Sequence, residues 1–320
     1  MKIFTFFWNR VTAAVSTLLL LIVLIALFMG YRLAGSGQSE NQNRLNNKHD
    51  YLTQISQHDK TDRTAPNIVF ILYDDMGYGD VGAGAENSLM IATPNINALA
   101  ADGVVLTDFY SPAPVCTPSR AGYLTGRLAA RAGLPNVVFP TGGAEEFLFN
   151  TMLTPKANVR LPAEEITLAE LLSAAGYATG MVGKWHLGDR SPSLPNDMGF
   201  DSYFGALYSN DMQPFALYAD RDIAAEAPVD QRFLTERYTQ AATNFIQQHA
   251  EEPFFLYFAH NFPHAPLSTR PERSGTSRAG LYGDVLEEID DSVGAIVAAL
   301  ERTGNLDNTL IIITSDNGPW

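Results

Sequence analysis

Two apolar runs far apart in this chain each stop at a pair of oxygen-bearing side chains, and that repetition limits the available folds more than any other feature. Asn67-Ile-Val-Phe-Ile-Leu-Tyr73 runs straight into Asp74-Asp75, and Thr309-Leu-Ile-Ile-Ile-Thr314 leads, past Ser315, into Asp316-Asn317. A β-branched and aromatic run without polar alternation makes a strand covered on both faces. Such strands belong to parallel sheets wrapped by helices, and those sheets carry their sites at the carboxyl ends of their strands. The expected fold class is therefore α/β, a mostly parallel sheet with helices on both faces.

The segments between keep the same rhythm. Thr93-Pro94 opens a helix through Ala101 that Gly103 ends, and Val104 to Tyr110 reads as a strand. Ile166 to Ala175 has the spacing of an amphipathic helix closed by Gly176, with a strand at Ala178–Val182 behind it. Phe254 to Ala259 is a further buried strand, and Gly283 to Arg302 a long helix ending before Gly304. This alternation places residues 66–320 in one folded domain.

Upstream the sequence changes character. Val11–Gly30 is an apolar run preceded by Lys2 and Arg10. Its length suits the ~20 residues that cross a bilayer and exceeds the ~7–15 of a signal-peptide core, so an uncleaved single-pass anchor is favoured over a cleaved signal. The positive-inside rule then puts residues 1–10 in the cytoplasm and the domain on the other side, periplasmic or extracellular. Residues 31–65 read as a flexible polar tether with a short helix near Tyr51-Leu52. The net charge of −14, from 35 acidic against 21 basic residues, argues against a nucleic-acid partner. Attraction for any anion must come from a metal and a few local cations.

Cys116 is the only cysteine. With no second thiol to pair with, it is a buried filler, an intermolecular link or a residue kept for its chemistry. Its setting, Cys116-Thr-Pro-Ser-Arg120-Ala-Gly-Tyr-Leu-Thr-Gly-Arg127, favours chemistry. Arg120 brings a permanent cation with a rigid donor fork, Pro118 is expected to direct the backbone out of regular structure, and Gly122 and Gly126 permit close approach. Asp74 and Asp75 repel each other unless a cation neutralises them. With Asp316 and Asn317 they form a hard oxygen set suited to Ca²⁺ or Mg²⁺ rather than zinc, although each pair alone is also what a solvated turn displays. Gly183-Lys184-Trp-His186-Leu-Gly188 follows a strand, where Lys184 can hold an anionic oxygen and His186 can exchange a proton near neutral pH.

The dodecapeptide at Cys116 resembles the modification motif of the type I sulfatases, Cys-x-Pro-Ser-Arg followed by Leu-x-Gly-Arg. The likeness runs from about Asn67 to the last residue and is nearest the arylsulfatase A and N-acetylgalactosamine-6-sulfatase branch. It implies an alkaline-phosphatase-like fold and sulfuric ester hydrolysis. By the same resemblance, a separate formylglycine-generating enzyme would oxidise Cys116 to Cα-formylglycine (3-oxoalanine), whose hydrated aldehyde attacks sulfur and later expels sulfate. Asp74, Asp75, Asp316 and Asn317 would hold Ca²⁺, or Mg²⁺, with the converted Cys116 completing the shell. Lys184 would bind sulfate, His186 would contact the formylglycine hydroxyl, and Arg120 would steady the aldehyde and the metal shell. His264, in Phe262-Pro-His264-Ala-Pro266, would bind on the sulfate side and protonate the leaving alcohol, with His260 the weaker candidate. Ser209, in Tyr208-Ser209-Asn-Asp211, would give its hydroxyl to the substrate, an aryl sulfate, sulfated sugar or sulfolipid.

Other readings compete with this one. A phosphonate or phosphodiester hydrolase of the same superfamily uses the same nucleophile, and a non-catalytic relative would only bind sulfated glycans. A membrane-anchored phosphoethanolamine transferase fits less well, because those enzymes encode a threonine nucleophile. In the family the sequence continues past the Asp316-Asn317 motif to another sulfate-binding lysine and a smaller C-terminal domain. Both lie outside these 320 residues, so the expectation is an N-terminal catalytic portion without that subdomain.

Overall fold

The computed structural model describes residues 14–28, 40–58, 64–82, 90–149 and 158–319. Its frame is a seven-stranded sheet of β1 (Asn67–Tyr73), β2 (Ala178–Gly183), β3 (Ser202–Gly205), β4 (Leu217–Ala219), β5 (Asp222–Ala225), β6 (Phe254–Ala259) and β7 (Thr309–Ser315). The strands lie in the order β5-β4-β3-β2-β6-β1-β7. From β3 to β7 all neighbours are parallel, and only β4 and β5 return antiparallel at the far edge. Around the sheet lie α1 (Gln42–His58), α2 (Pro94–Asp102), α3 (Cys116–Thr125), α4 (Ala144–Leu148), α5 (Leu168–Ala174), α6 (Leu234–Gln248) and α7 (Gly280–Arg302).

The unalternated run of β1 is explained by two cores. Val69, Ile71 and Tyr73 enter one, with Leu234, Tyr238 and Ile246 of α6, the Val285/Ile289/Val293/Ile296 stripe of α7 and Ile96 of α2. Phe70 and Leu72 enter the other, with Ala121 and Leu124 of α3 and Ala169 of α5. Each of these aliphatic side chains, taken fully out of water, contributes roughly 1.5–3 kcal/mol, so both faces of the strand must be apolar. α5 begins as its sequence directs: Thr167 Oγ1 accepts from Glu170 N (3.1 Å) while Glu170 Oε2 accepts from Thr167 N (2.9 Å).

Three expectations are corrected. Val104 to Tyr110 is no strand: it pairs with none of the seven, and Val104 and Tyr110 are 83% and 81% exposed. Apolar composition there is not matched by a ladder partner, and Phe109 merely stacks on Tyr123 of α3. Pro118 does not leave regular structure. It sits in the first turn of α3, where no intrahelical N–H bond is lost. The polar segment 31–65 is not a tether throughout, because α1 occupies 42–58 and is docked. Lys48 Nζ donates to the carbonyls of Ala163 and Glu165 at 2.7 Å and pairs with Glu170 at 2.5 Å, and Arg44 pairs with the buried Glu165. The short helix expected near Tyr51-Leu52 lies inside this longer one.

Within the Val11–Gly30 run, residues 14–28 are helical with exposed side chains. The cytoplasmic assignment of residues 1–10, the ends of the run, and residues 31–39 and 59–63 of the expected tether lie outside the described residues. Among the described residues no helix is long and apolar enough to cross a membrane.

Candidate active site

Strand register assembles the site. Tyr73 of β1 stands beside Ser315 of β7, and Asp316 N donates to Tyr73 O (2.9 Å), so Asp74 and Asp316 emerge side by side from chain positions 242 residues apart. On the other flank Gly183 of β2 aligns with Ala259 of β6, and Lys184 N donates to Ala259 O (2.7 Å). Only glycine fits at 183: φ is +111° and a Cβ would lie 1.9 Å from that carbonyl oxygen. α3 brings Cys116 to the same edge. Tyr123 Oη donates to Ser315 O (3.1 Å), Ser119 Oγ donates to Asp316 O, and Thr117 Oγ1 donates to His186 O (3.0 Å).

Charge in the site is dense and almost fully buried. Arg120 reaches Asp316 Oδ2 through Nε (2.9 Å), Asp74 Oδ1 through Nη2 (3.5 Å) and Lys184 O through Nη1 (2.6 Å). Lys184 Nζ bonds Asp74 Oδ2 (2.5 Å) and Ser209 Oγ (3.1 Å). Burial alone would raise the Asp74 pKa, but Lys184 and Arg120 overcome it and hold the carboxylate well below its usual range. Asp316 goes the other way: burial, then the charge of Asp74, pushes it up to about 8. Burial and Asp74 likewise raise Asp75. Three acids with two cations leave the cluster short of positive charge.

That shortage has a matching geometry. Oxygens of Asp74, Asp75 and Asp316 lie within 4.8 Å of one another. Asp74 Oδ1 and Asn317 Oδ1 are buried and accept no hydrogen bond, while Asn317 Nδ2 donates to Asp75 Oδ1 (2.6 Å). Buried acceptors without donors, in an all-oxygen set, fit a hard divalent cation. Cys116 Sγ and a His264 nitrogen form a second such group with Asp74. Burial pushes the Cys116 thiol far up, so the encoded side chain holds its proton at neutral pH.

The histidines separate clearly. His186 is buried, and burial followed by the charges of Lys184 and Arg120 pushes its pKa well below the usual imidazole value. Its Nε2 donates to Val138 O (3.1 Å), which fixes the tautomer and leaves Nδ1 as a buried lone pair without a partner. His264 is the most exposed member of the site. Its Nδ1 donates to Ala265 O (2.5 Å), and Nε2 faces Ser209 Oγ (3.3 Å) and Asp75 Oδ2 (3.7 Å). His260 points into the aromatic core instead, between Tyr238, Phe258 and Phe262, and burial lowers it to about 3. All ten expected site residues thus converge on one edge, and His260 stands apart.

Asp75 (φ 67°) and His186 (φ 60°) both hold left-handed backbone. Sequence reasoning missed Asn210, Asn261 and Gln231, buried or half-buried amides on the loops around Ser209 and His264. Polar loop residues that bond across ~50 positions leave no periodic signal.

Known proteins resemble this chain at several levels. The sulfatase family model matches residues 66–320. Mouse N-acetylgalactosamine-6-sulfatase is 43% identical over 271 residues, 79% of this chain and 50% of that protein. Human arylsulfatase A is 38% identical over 281 residues, 79% and 52% of the two chains. The solved structure of Ps i-CgsB in complex with k-i-k-neocarrahexaose matches with TM-score 0.68 and 33% identity, over 80% of this chain and 59% of that one. The phosphonate monoester hydrolase of Agrobacterium radiobacter, at TM-score 0.53 and 17% identity over 78% and 62%, shares the fold. The chain spans about half the length of the curated relatives it matches.

Proposed function

This chain belongs to the sulfatase family, and from that premise we propose that its site hydrolyses sulfate esters after Cys116 is converted to Cα-formylglycine, with a divalent cation, Ca²⁺ before Mg²⁺, held by Asp74, Asp75, Asp316 and Asn317. The observation that carries this reading is the convergence of Cys116, Lys184, Ser209 and His264 on a carboxylate cluster short of positive charge. A thiol held protonated by burial is a poor nucleophile, which favours conversion over use of the encoded cysteine. When present, the cation and the hydrated aldehyde supply Lewis-acid polarisation and an oxygen nucleophile with a second hydroxyl on the same carbon.

The chain's own groups do the rest. Lys184 and Ser209, already bonded to each other, offer an ammonium and a hydroxyl to sulfate oxygens. Arg120 fixes the spacing of Asp74 and Asp316, so the cluster keeps its shape as charge develops beside it. His186, held neutral by burial and the neighbouring cations, keeps Nδ1 as an unpartnered lone pair, an acceptor for a hydroxyl at the site. His264 Nε2, at the exposed side, gives one to the departing oxygen.

Sulfated sugars are the substrate class favoured by the likeness to N-acetylgalactosamine-6-sulfatase and to a structure holding a neocarrahexaose. A formylglycine-generating enzyme is the partner that the conversion requires. Val11–Gly30 anchors the domain on the non-cytoplasmic side of a membrane in this reading. Two measurements test the proposal: the intact mass of the Cys116 peptide, and sulfate release from 4-nitrophenyl sulfate and a hexose 6-sulfate with and without chelator. An unmodified Cys116 together with chelator-insensitive turnover would overturn it, and faster turnover of an aryl phosphodiester would reassign the reaction.

A further inference from the structure

Two buried asparagines cross between the loops that carry Ser209 and His264. Asn210 follows Ser209 on the loop after β3 and is fully buried. Its Nδ2 donates to Pro266 O and to Gln231 Oε1, both at 3.0 Å, with His264 O at 3.5 Å, and Gln231 Nε2 returns a bond to Asn210 O (2.9 Å). Asn261, on the loop after β6, is equally buried and reaches the opposite way. Its Nδ2 donates to Tyr208 O (3.3 Å) while Oδ1 accepts from Tyr238 Oη (2.7 Å). Each loop therefore grips the main chain of the other. The two crossings fall on either side of the point where Ser209 Oγ and His264 meet at 3.3 Å.

We propose that Asn210 and Asn261 act as a reciprocal clamp, positioning residues that set His264 at the distance from Ser209 needed to protonate the departing oxygen. This rests on the sulfate ester reading of the site. An amide buried without partners would cost several kcal/mol, so neither loop can slide without breaking buried bonds. The clamped carbonyls belong to Tyr208, which precedes Ser209, and to Pro266, two residues beyond His264, with the carbonyl of His264 itself alongside. Motion of the backbone there moves the imidazole directly. A general acid misplaced by ~1 Å loses on the order of 100-fold.

The consequence depends on the leaving group. A sugar alkoxide is strongly basic and departs only with a proton, whereas 4-nitrophenolate departs without help. Loss of the clamp should therefore lower kcat/KM for a hexose 6-sulfate by about 100-fold while lowering that for 4-nitrophenyl sulfate by less than about tenfold. Asn210→Ala is the direct variant, and Gln231→Ala, which removes only Asn210's orienting partner, should shift the same ratio by a smaller factor. Combining Asn210→Ala with His264→Ala should add no further loss on the sugar sulfate. Equal losses on both substrates, or full additivity with His264→Ala, would overturn the clamp and leave a merely structural loop contact.

Should the parent chain turn over neither substrate, the sulfate ester reading fails separately, and ¹³C-histidine NMR still decides the clamp. One sharp His264 imidazole resonance that splits or broadens in either variant supports it, and an unchanged resonance in both overturns it.

Discussion

Replacing Arg120 with methionine removes the charge that the carboxylate cluster is built around while keeping most of the volume. The guanidinium is fully buried, 2.9 Å from Asp316 and 3.5 Å from Asp74, and it also satisfies the carbonyl of Lys184. At an effective dielectric constant of about 20 the Asp74 pair amounts to roughly 5 kcal/mol of attraction, and the Asp316 pair adds roughly 6 only once that carboxyl ionises. Desolvation of the guanidinium offsets several kcal/mol of that, and truncating one partner of a buried network costs about 3–5 kcal/mol, because uncompensated charge stays behind. Asp316, raised to about 8, already folds protonated at neutral pH without metal, which keeps the loss within that range. Urea unfolding followed through Trp185, which is buried next to Lys184, measures it. With a slope of about 1–3 kcal/mol/M, the metal-free midpoint should fall by roughly 1–5 M. Saturating Ca²⁺ should shrink the difference, since the cation takes over part of the neutralisation. A metal-free loss below about 1 kcal/mol would refute the idea that Arg120 balances these acids.

In the metal-free protein the folded form keeps a proton on Asp316 up to about 8, against 3.8 for an unperturbed group. Below about 6.5 His186 and His260, both lowered by burial, work the other way, so stability should fall as pH rises from about 6.5 to about 8, and Ca²⁺ should flatten or invert that slope; a rise over that interval under chelator, in thermal melts, would contradict this. Gly183→Ala places a methyl 1.9 Å from the Ala259 carbonyl oxygen at positive φ. It should give insoluble protein or a loss above about 3 kcal/mol, and a soluble variant melting like the parent would refute the close approach. Lys48→Glu sets a carboxylate against Glu165 and Glu170, so limited proteolysis should cut within Gln42–His58 while the sheet domain resists. Unchanged resistance of that segment would show that charge does not hold α1 down.

The parts of the fold legible in the sequence are those where burial imposes composition. β1, β2 and β6 are covered on both faces, so their residues had no choice but to be apolar or small, whereas β7, read from the same kind of apolar run, is an edge strand that is only half-buried, with Leu310 exposed. The converse inference failed at Val104 to Tyr110, where apolar side chains occur without a strand beside them. β4 and β5 are three and four residues long and mostly exposed along β5, too short for any period to register. α1 escaped because it docks through Lys48 and Arg44, and a search for apolar spacing does not see charges. In the site, the ionisable residues sat in short motifs, at or a few residues past the ends of β1, β2, β6 and β7 or, for Cys116 and Arg120, on α3. The amides that hold the loops together bond across about 50 residues, a relation that only the folded chain displays.

Asp75 and His186 carry left-handed backbone, a conformation that costs a residue with a side chain about 1–2 kcal/mol and glycine nothing. At His186 the buried ring, packed on Tyr208 and bonded to Val138 O, outweighs that strain, but at Asp75, which also faces Asp74 and Asp316, heat resistance and turnover pull in opposite directions. A library of this protein sorted by survival at high temperature alone would enrich glycine at 75, and its most robust members would be its least active. Laboratory evolution toward a durable enzyme should hold 75 and 186 constant and look for gains in the exposed stretch around Val104 and Tyr110, where the surface offers apolar area to remove and no chemistry to lose.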